Sequence, residues 1–170
     1  MANSRAIANL KNNVIKKLIL DERIVNAIDA KEIADAEELI GTHIFDFAQD
    51  TEVINESSTI ITVTTNIITY TDYSEIFSYV YPNLVIDIYT HSKRMKVDNI
   101  PKVENNRNDY ISMVIDDMLN GKYGLGGVGK LTLIGNVEGS KQKDWLYRKM
   151  TFQTTDVNSA NCNGDEEYEQ

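Results

Sequence analysis

Twelve consecutive residues, Thr59 to Tyr70, read TIITVTTNIITY, and ten of them branch at the β-carbon. Such side chains are stiff at χ1, fit a pleated surface and lose freedom in a helix. The run predicts one extended strand on the order of 40 Å long, about twice the usual length. A strand of that length commonly overshoots its own domain, so it is expected to pair with something else.

The neighbouring segments supply a partner sheet and helices to cover it. Leu84, Ile86 and Ile88 alternate with Val85, Asp87 and Tyr89, so LVIDIYTH is a strand with one apolar face. Between the two strands, TDYSEIFSYVYP reads as a loop or strand edge that Pro82 ends. At the N-terminus Ile7, Leu10, Val14, Ile15, Leu18 and Ile19 form one apolar stripe, an amphipathic helix from about Ser4 to Leu20. Asp21 is placed to cap a short helix carrying Ile24, Val25 and Ile28. Asp35 opens a third through Ala36, Leu39 and Ile40, which Gly41 ends. HIFDF, from His43 to Phe47, reads as a short strand and AQDTEVINES as a loop. The polar run SKRMKVDNIPKVENNRN crosses to a helix with Asn108 as N-cap and Asp109 in the first turn. Its stripe is Tyr110, Ile111, Val114, Ile115, Met118 and Leu119. Leu131, Leu133 and Ile134 then begin a strand, NVEGSKQKD reads as turn-rich, and WLYRKMTF returns as the second strand of a hairpin. The expected fold class is therefore α+β, an antiparallel or mixed β-sheet packed against an N-terminal amphipathic helix and a second helix near 108–119. A chain of 170 residues is long enough to bury roughly 70% of its unfolded surface without a metal or disulfide. We expect a single domain over 1–157 and an acidic, flexible tail over 158–170.

Charge and composition narrow the function classes. No apolar stretch approaches the ~20 residues that span a bilayer, and MANSRAIANL lacks the apolar core of a signal peptide, which points to a cytoplasm. Cys162 is the one cysteine and lies in the polar tail, so neither a disulfide framework nor a cysteine metal site is expected. The net charge is −9, and the body stays acidic without Asp165, Glu166, Glu167 and Glu169 of the tail. Gripping phosphates calls for the opposite balance. Like charge instead lets DNA pass without sticking.

Five of the nine glycines fall in GKYGLGGVG, Gly121 to Gly129. Gly124, Gly126 and Gly129 fit G-x-G-x-x-G, and Gly124, Gly129 and Lys130 nearly fit a phosphate loop, but Leu131 stands where a hydroxyl would hold magnesium. The element order is also reversed, because such a loop follows a strand and opens a helix. The competing reading has Gly121 end the preceding helix in a left-handed conformation while the rest form a flexible loop whose tip orders against a neighbour. His43 and His91 have no acid at a ligand spacing. The pairs Asp116 with Asp117 and Asp46 with Asp50 read as solvated surface, since helix neighbours point roughly 100° apart. No G-x-S-x-G elbow is present. Lys93, Arg94 and Lys96 form one basic cluster. Lys141, Lys143, Arg148 and Lys149 form another with Trp145 and Tyr147 among them, a mixture also used by single-strand binders. Yet Trp145, Tyr147, Lys149 and Thr151 share one face of the strand, so cross-strand packing explains the aromatics equally well. These readings assign no catalytic residue, no cofactor and no metal ligand.

The order of elements, with the pattern RNDYISMVIDDMLNG, GVGKLTLIGNVEG and WLYRKMTFQTTDVN, resembles the small α/β tail-terminator and head-to-tail joining (neck) proteins of tailed bacteriophages, over most of the chain to about Val157. The resemblance implies a structural virion protein, assembled in the host cytoplasm, that forms a ring, usually of six subunits, at the head-proximal end of the tail tube. There it halts tube growth and offers a docking face to the connector. Its implied partners are further copies of itself, the tail tube protein and a connector or adaptor protein, with DNA passing through the lumen unread and no membrane. A head-completion adaptor or tail assembly factor is the alternative within the class, and a nucleotide-binding enzyme built on the 124–130 loop is the alternative outside it. The GLGGVG loop and the helices between Asp21 and Ile40 depart from the family pattern. The expected means of assembly is edge pairing, in which backbone hydrogen bonds give affinity and alternate side chains give register. The expected contacts with a neighbour are Thr59, Ile61, Val63, Thr65, Ile67 and Tyr70 of the long strand, Tyr73, Tyr79 and Tyr81 after it, and Leu125 and Val128 of the glycine loop.

Overall fold

The apolar stripe of the first helix decides where everything else packs. α1, Ser4–Leu20, buries Ala6, Ile7, Leu10, Val14, Ile15, Leu18 and Ile19 along one side, the three-and-four spacing of a helix lying on a core. The computed structural model describes residues 4–30, 33–49, 58–70, 79–100 and 103–157. At the end of α1 the Asp21 side chain accepts the Arg23 N–H at 2.9 Å and turns the chain into α2, Glu22–Ile28. The third helix expected from the sequence shrinks to one 3-10 turn, Ala36–Leu39, which Asp35 caps in the same way.

Among the described residues six strands follow: β1 Ile44–Phe45, β2 Thr59–Tyr70, β3 Tyr79–His91, β4 Thr132–Lys141, β5 Trp145–Gln153 and β6 Asp156–Val157. The sheet runs β1-β2-β3-β5-β4, with β6 beside the start of β3. β1 is parallel to β2 and every other pairing is antiparallel, so the fold is α+β with a mixed sheet. α3, Arg107–Leu119, joins α1 and α2 on one face. Leu10, Val14, Leu18, Ile24, Ile28, Ile111 and Ile115 there meet Ile61, Val63, Leu84, Ile86, Ile88, Met150 and Phe152 of the sheet in one core. The opposite face carries no helix among the described residues. Its small cluster is Phe45, Ile60 and Trp145, with Tyr89 against it.

Three boundaries differ from the sequence expectation, each for a local reason. β3 starts at Tyr79 and runs through Pro82, which pairs with Ile67. The Pro82 carbonyl accepts the Thr154 N–H at 3.1 Å, so its missing N–H also points to the β5 side, just beyond the last β3–β5 pair at Asn83. No ladder bond is lost there. α3 is capped by Asn106 rather than Asn108. The Asn106 Oδ1 accepts the Asp109 N–H at 2.9 Å, while the Asn108 amide is drawn to the Leu146 carbonyl at 3.2 Å. β4 continues through NVEGSK to Lys141, leaving only Gln142 to Asp144 as the turn. Its glycines belong to the strand because a side chain at Gly139 would meet the Tyr147 ring at 2.8 Å.

Candidate interaction surface

Among the described residues both margins of the sheet leave backbone open, on β2 beyond the reach of β1 and on β4. On β2, the Ile61 N–H points outward to the His43 carbonyl at 2.7 Å, and β1 pairs only as far as Thr62. Groups alternate along a strand, so those of Thr65, Ile67 and Thr69 point to the same outer side. No strand lies beside them among the described residues. On β4, the Leu133 N–H is held by the Asn120 Oδ1 at 3.1 Å, and Leu131 exchanges hydrogen bonds with Gly121 and Lys122. A bulge between Leu133 and Gly135 shifts the register. Beyond it, Asn136, Glu138 and Ser140 point away from β5, and the edge is again open among the described residues.

The contact residues expected from the sequence divide by burial. Thr59, Ile61 and Val63 are fully buried in the chain's own interior, where Thr59 also accepts a hydrogen bond from Thr90 at 3.4 Å. Leu125 and Val128 are buried in the main core as well. Their side chains are inside the chain's own core because both the start of β2 and the glycine loop lie under α1. Thr65 and Tyr81 are half-buried, and Ile67 is exposed. Tyr73, Cys162 and the 158–170 tail lie outside the described residues, as do the side chains of Tyr70 and Tyr79.

The glycine loop is a packing device. Gly121 follows α3 with φ +74, and Gly124, Gly126 and Gly127 also have positive φ. A β-carbon on Gly126 would lie 2.3 Å from the Leu10 backbone nitrogen, and one on Gly129 would lie 2.6 Å from the Thr154 hydroxyl. Glycine is therefore required for the loop to press against α1 and β5's exit. The loop leads into β4 and opens no helix, unlike a phosphate cradle.

Charged groups near the edges are tied to structure. Arg148 donates to Asp109, to Glu138 at 2.9 Å and to Asn136 at 3.0 Å, stitching α3 to β4 and β5. That network borders a cleft of about 480 Å³. Arg107, almost fully buried, donates to the carbonyls of Ala27, Arg94 at 2.6 Å and Lys96 at 2.8 Å. Arg94 grips Asp29 through its carboxylate at 2.6 Å and its carbonyl at 2.7 Å. Two guanidinium groups thus close the C-terminal end of α2, where the helix dipole is negative. Burial, and then the nearby Arg94 charge, holds the Arg107 pKa below its usual range. Of the first basic cluster, Arg94 is therefore structural, and no sequence signal distinguished it from Lys93 and Lys96.

On the helix-free face, Trp145, Tyr147, Lys149 and Thr151 do share one side, opposite His91, Tyr89, Asp87 and Val85. Trp145 stacks edge-on against His91 at 5.5 Å, and Tyr89 lies 6.2 Å from Tyr147. The Lys141 ammonium sits 5.4 Å from the Tyr89 ring, a cation–π contact. Burial raises the Asp87 pKa, against the pull of Lys149 and Lys141. His43 meets the Thr42 hydroxyl at 3.2 Å. Among the described residues no group of three His, Cys, Asp or Glu is placed to hold a metal, and no helix is long and apolar enough to cross a membrane.

Comparison with known proteins adds two findings. A family model described as YomW matches residues 12–154. Among solved structures, one chain of the virion of a native gene transfer agent particle aligns over 92% of this chain and 100% of its own, with a TM-score of 0.58 and 14% identity. At that identity the likeness establishes a shared fold. No curated protein matches the sequence.

Proposed function

This chain belongs to the YomW family, and on that premise we propose that it is a structural protein of a phage-type virion, a tail terminator acting as a homo-oligomeric ring. The ring, hexameric in this reading, sits at the head-proximal end of the tail tube and joins tail to head connector. The observation that carries it is the fold shared with a gene transfer agent virion chain along that chain's whole length. The open upper half of β2 supports assembly, because an unprotected strand edge is a template for another chain. The acidic balance of the sequence, −9 overall, suits a lumen through which DNA slides without binding. Tail tube protein and a connector or adaptor are its partners, the assembled virion is its location, and it performs no catalysis. Electron microscopy of tail tube protein polymerised with and without this chain tests the role. Tubes capped at one end and shortened in its presence are expected, and tubes that grow unchanged with bare ends would count against a terminator.

A further inference from the structure

We propose that the two open sheet edges form one interface, in which β2 of one copy pairs with β4 of the next so that the sheets of successive copies join into a closed barrel. The inference rests on the ring reading and names the surfaces that would close it. The two edges stand at opposite ends of the same sheet, so their union is head-to-tail and repeats around a ring. Each offers three outward residues, Thr65, Ile67 and Thr69 on one side and Asn136, Glu138 and Ser140 on the other.

Face and direction also agree. Ile67 follows Ile61 and Val63 on the helix-bearing face, and Glu138 opposes Arg148, which lies on that face with Met150 and Phe152. Directly opposed residues of a ladder put their side chains on one face, so pairing Ile67 with Glu138 keeps every copy's helices on the same side. β2 and β4 run in opposite directions within the subunit, through two antiparallel steps and a third. A ring preserves strand direction from copy to copy, which makes the joint antiparallel. Charge permits the contact as well. On a chain of net charge −9, Thr59 to Tyr70 carries no charged residue, and Thr132 to Lys141 carries one acid and one base. Copies meeting there escape the repulsion that the rest of the surface imposes. The upper half of β2 has none of the charges, prolines or bulges by which edges are normally blunted.

The test uses the full chain with Cys162→Ser, Ile67→Cys and Glu138→Cys, oxidised and run on a non-reducing gel. Opposed residues of a hydrogen-bonded pair have Cα atoms about 5.5 Å apart, within disulfide reach. A covalent ladder reversed by reductant is expected, and none from Asn66→Cys with Glu138→Cys, because successive residues of a strand alternate faces and position 66 lies on the face opposite Glu138. Rings seen by electron microscopy without a ladder would overturn the edge pairing and leave the ring standing. Absence of both rings and ladder overturns both. Ile67→Pro removes an outward N–H that no strand among the described residues uses. It should give a folded monomer with unchanged far-ultraviolet circular dichroism, and intact rings from it overturn the pairing.

Discussion

Single residues explain why the glycine run misleads as a motif. Its positive φ values and its close approach to Leu10 are tertiary facts, and the sequence shows only the spacing that phosphate loops share. Gly126→Ala would force a β-carbon into the α1 backbone at an unfavourable φ, at a cost of about 2–4 kcal/mol. Gly127, at φ +79 with open space around it, should lose only about 1–2 kcal/mol on the same change. Urea midpoints of the two variants check the difference, and equal losses would contradict the packing. Asp87 makes the second residue-scale prediction. Its folded pKa is raised by burial, so its ionised form weakens the fold at neutral pH, and stability is regained as pH falls through the raised value toward the ordinary 3.8. Asp87→Asn should melt higher than the parent at pH 7, with the gain vanishing below that ordinary value. A gain independent of pH would contradict the cause.

Elements were legible where one local force dominates and obscure where several compete. The apolar stripe of α1 and the branched run of β2 marked both elements in the sequence, since periodicity and χ1 stiffness act there together. Asn106 takes the α3 cap that the sequence assigns to Asn108, and the outcome depends on Leu146, distant in sequence, which holds the Asn108 amide. Gly135 and Gly139 disguised the continuation of β4 beyond Ile134 as a turn, although Gly139 lies in the strand beneath the Tyr147 ring. Half of the candidate surface was therefore visible as the β2 run, and the β4 edge was not. The α2 end was equally hidden, because nothing in KVENNRND announces that Arg107 will reach three carbonyls. Arg107→Ala leaves those acceptors unmet beside a cavity, a loss of about 3 kcal/mol and a fall in melting temperature of about 6–12 °C. Arg107→Lys should recover only part, since an ammonium lacks the planar fork. Melting within about 1 °C of the parent for either variant would show that the clamp is dispensable.

For the whole molecule, the sheet has a closed interior and two unfinished margins. The helices bury one face into the core around Leu10, Ile61 and Phe152, and no described strand completes β2 beyond Thr62 or β4 beyond its bulge. Unmet backbone groups on an uncharged, branched strand favour association with another strand, and repetition of that contact about an axis gives a ring. Mass photometry of the purified full chain across a concentration series, with and without tail tube protein, tests this most directly. A discrete closed oligomer, a hexamer in our reading, is the expected species. A single population at the mass of one chain under every condition would contradict the account.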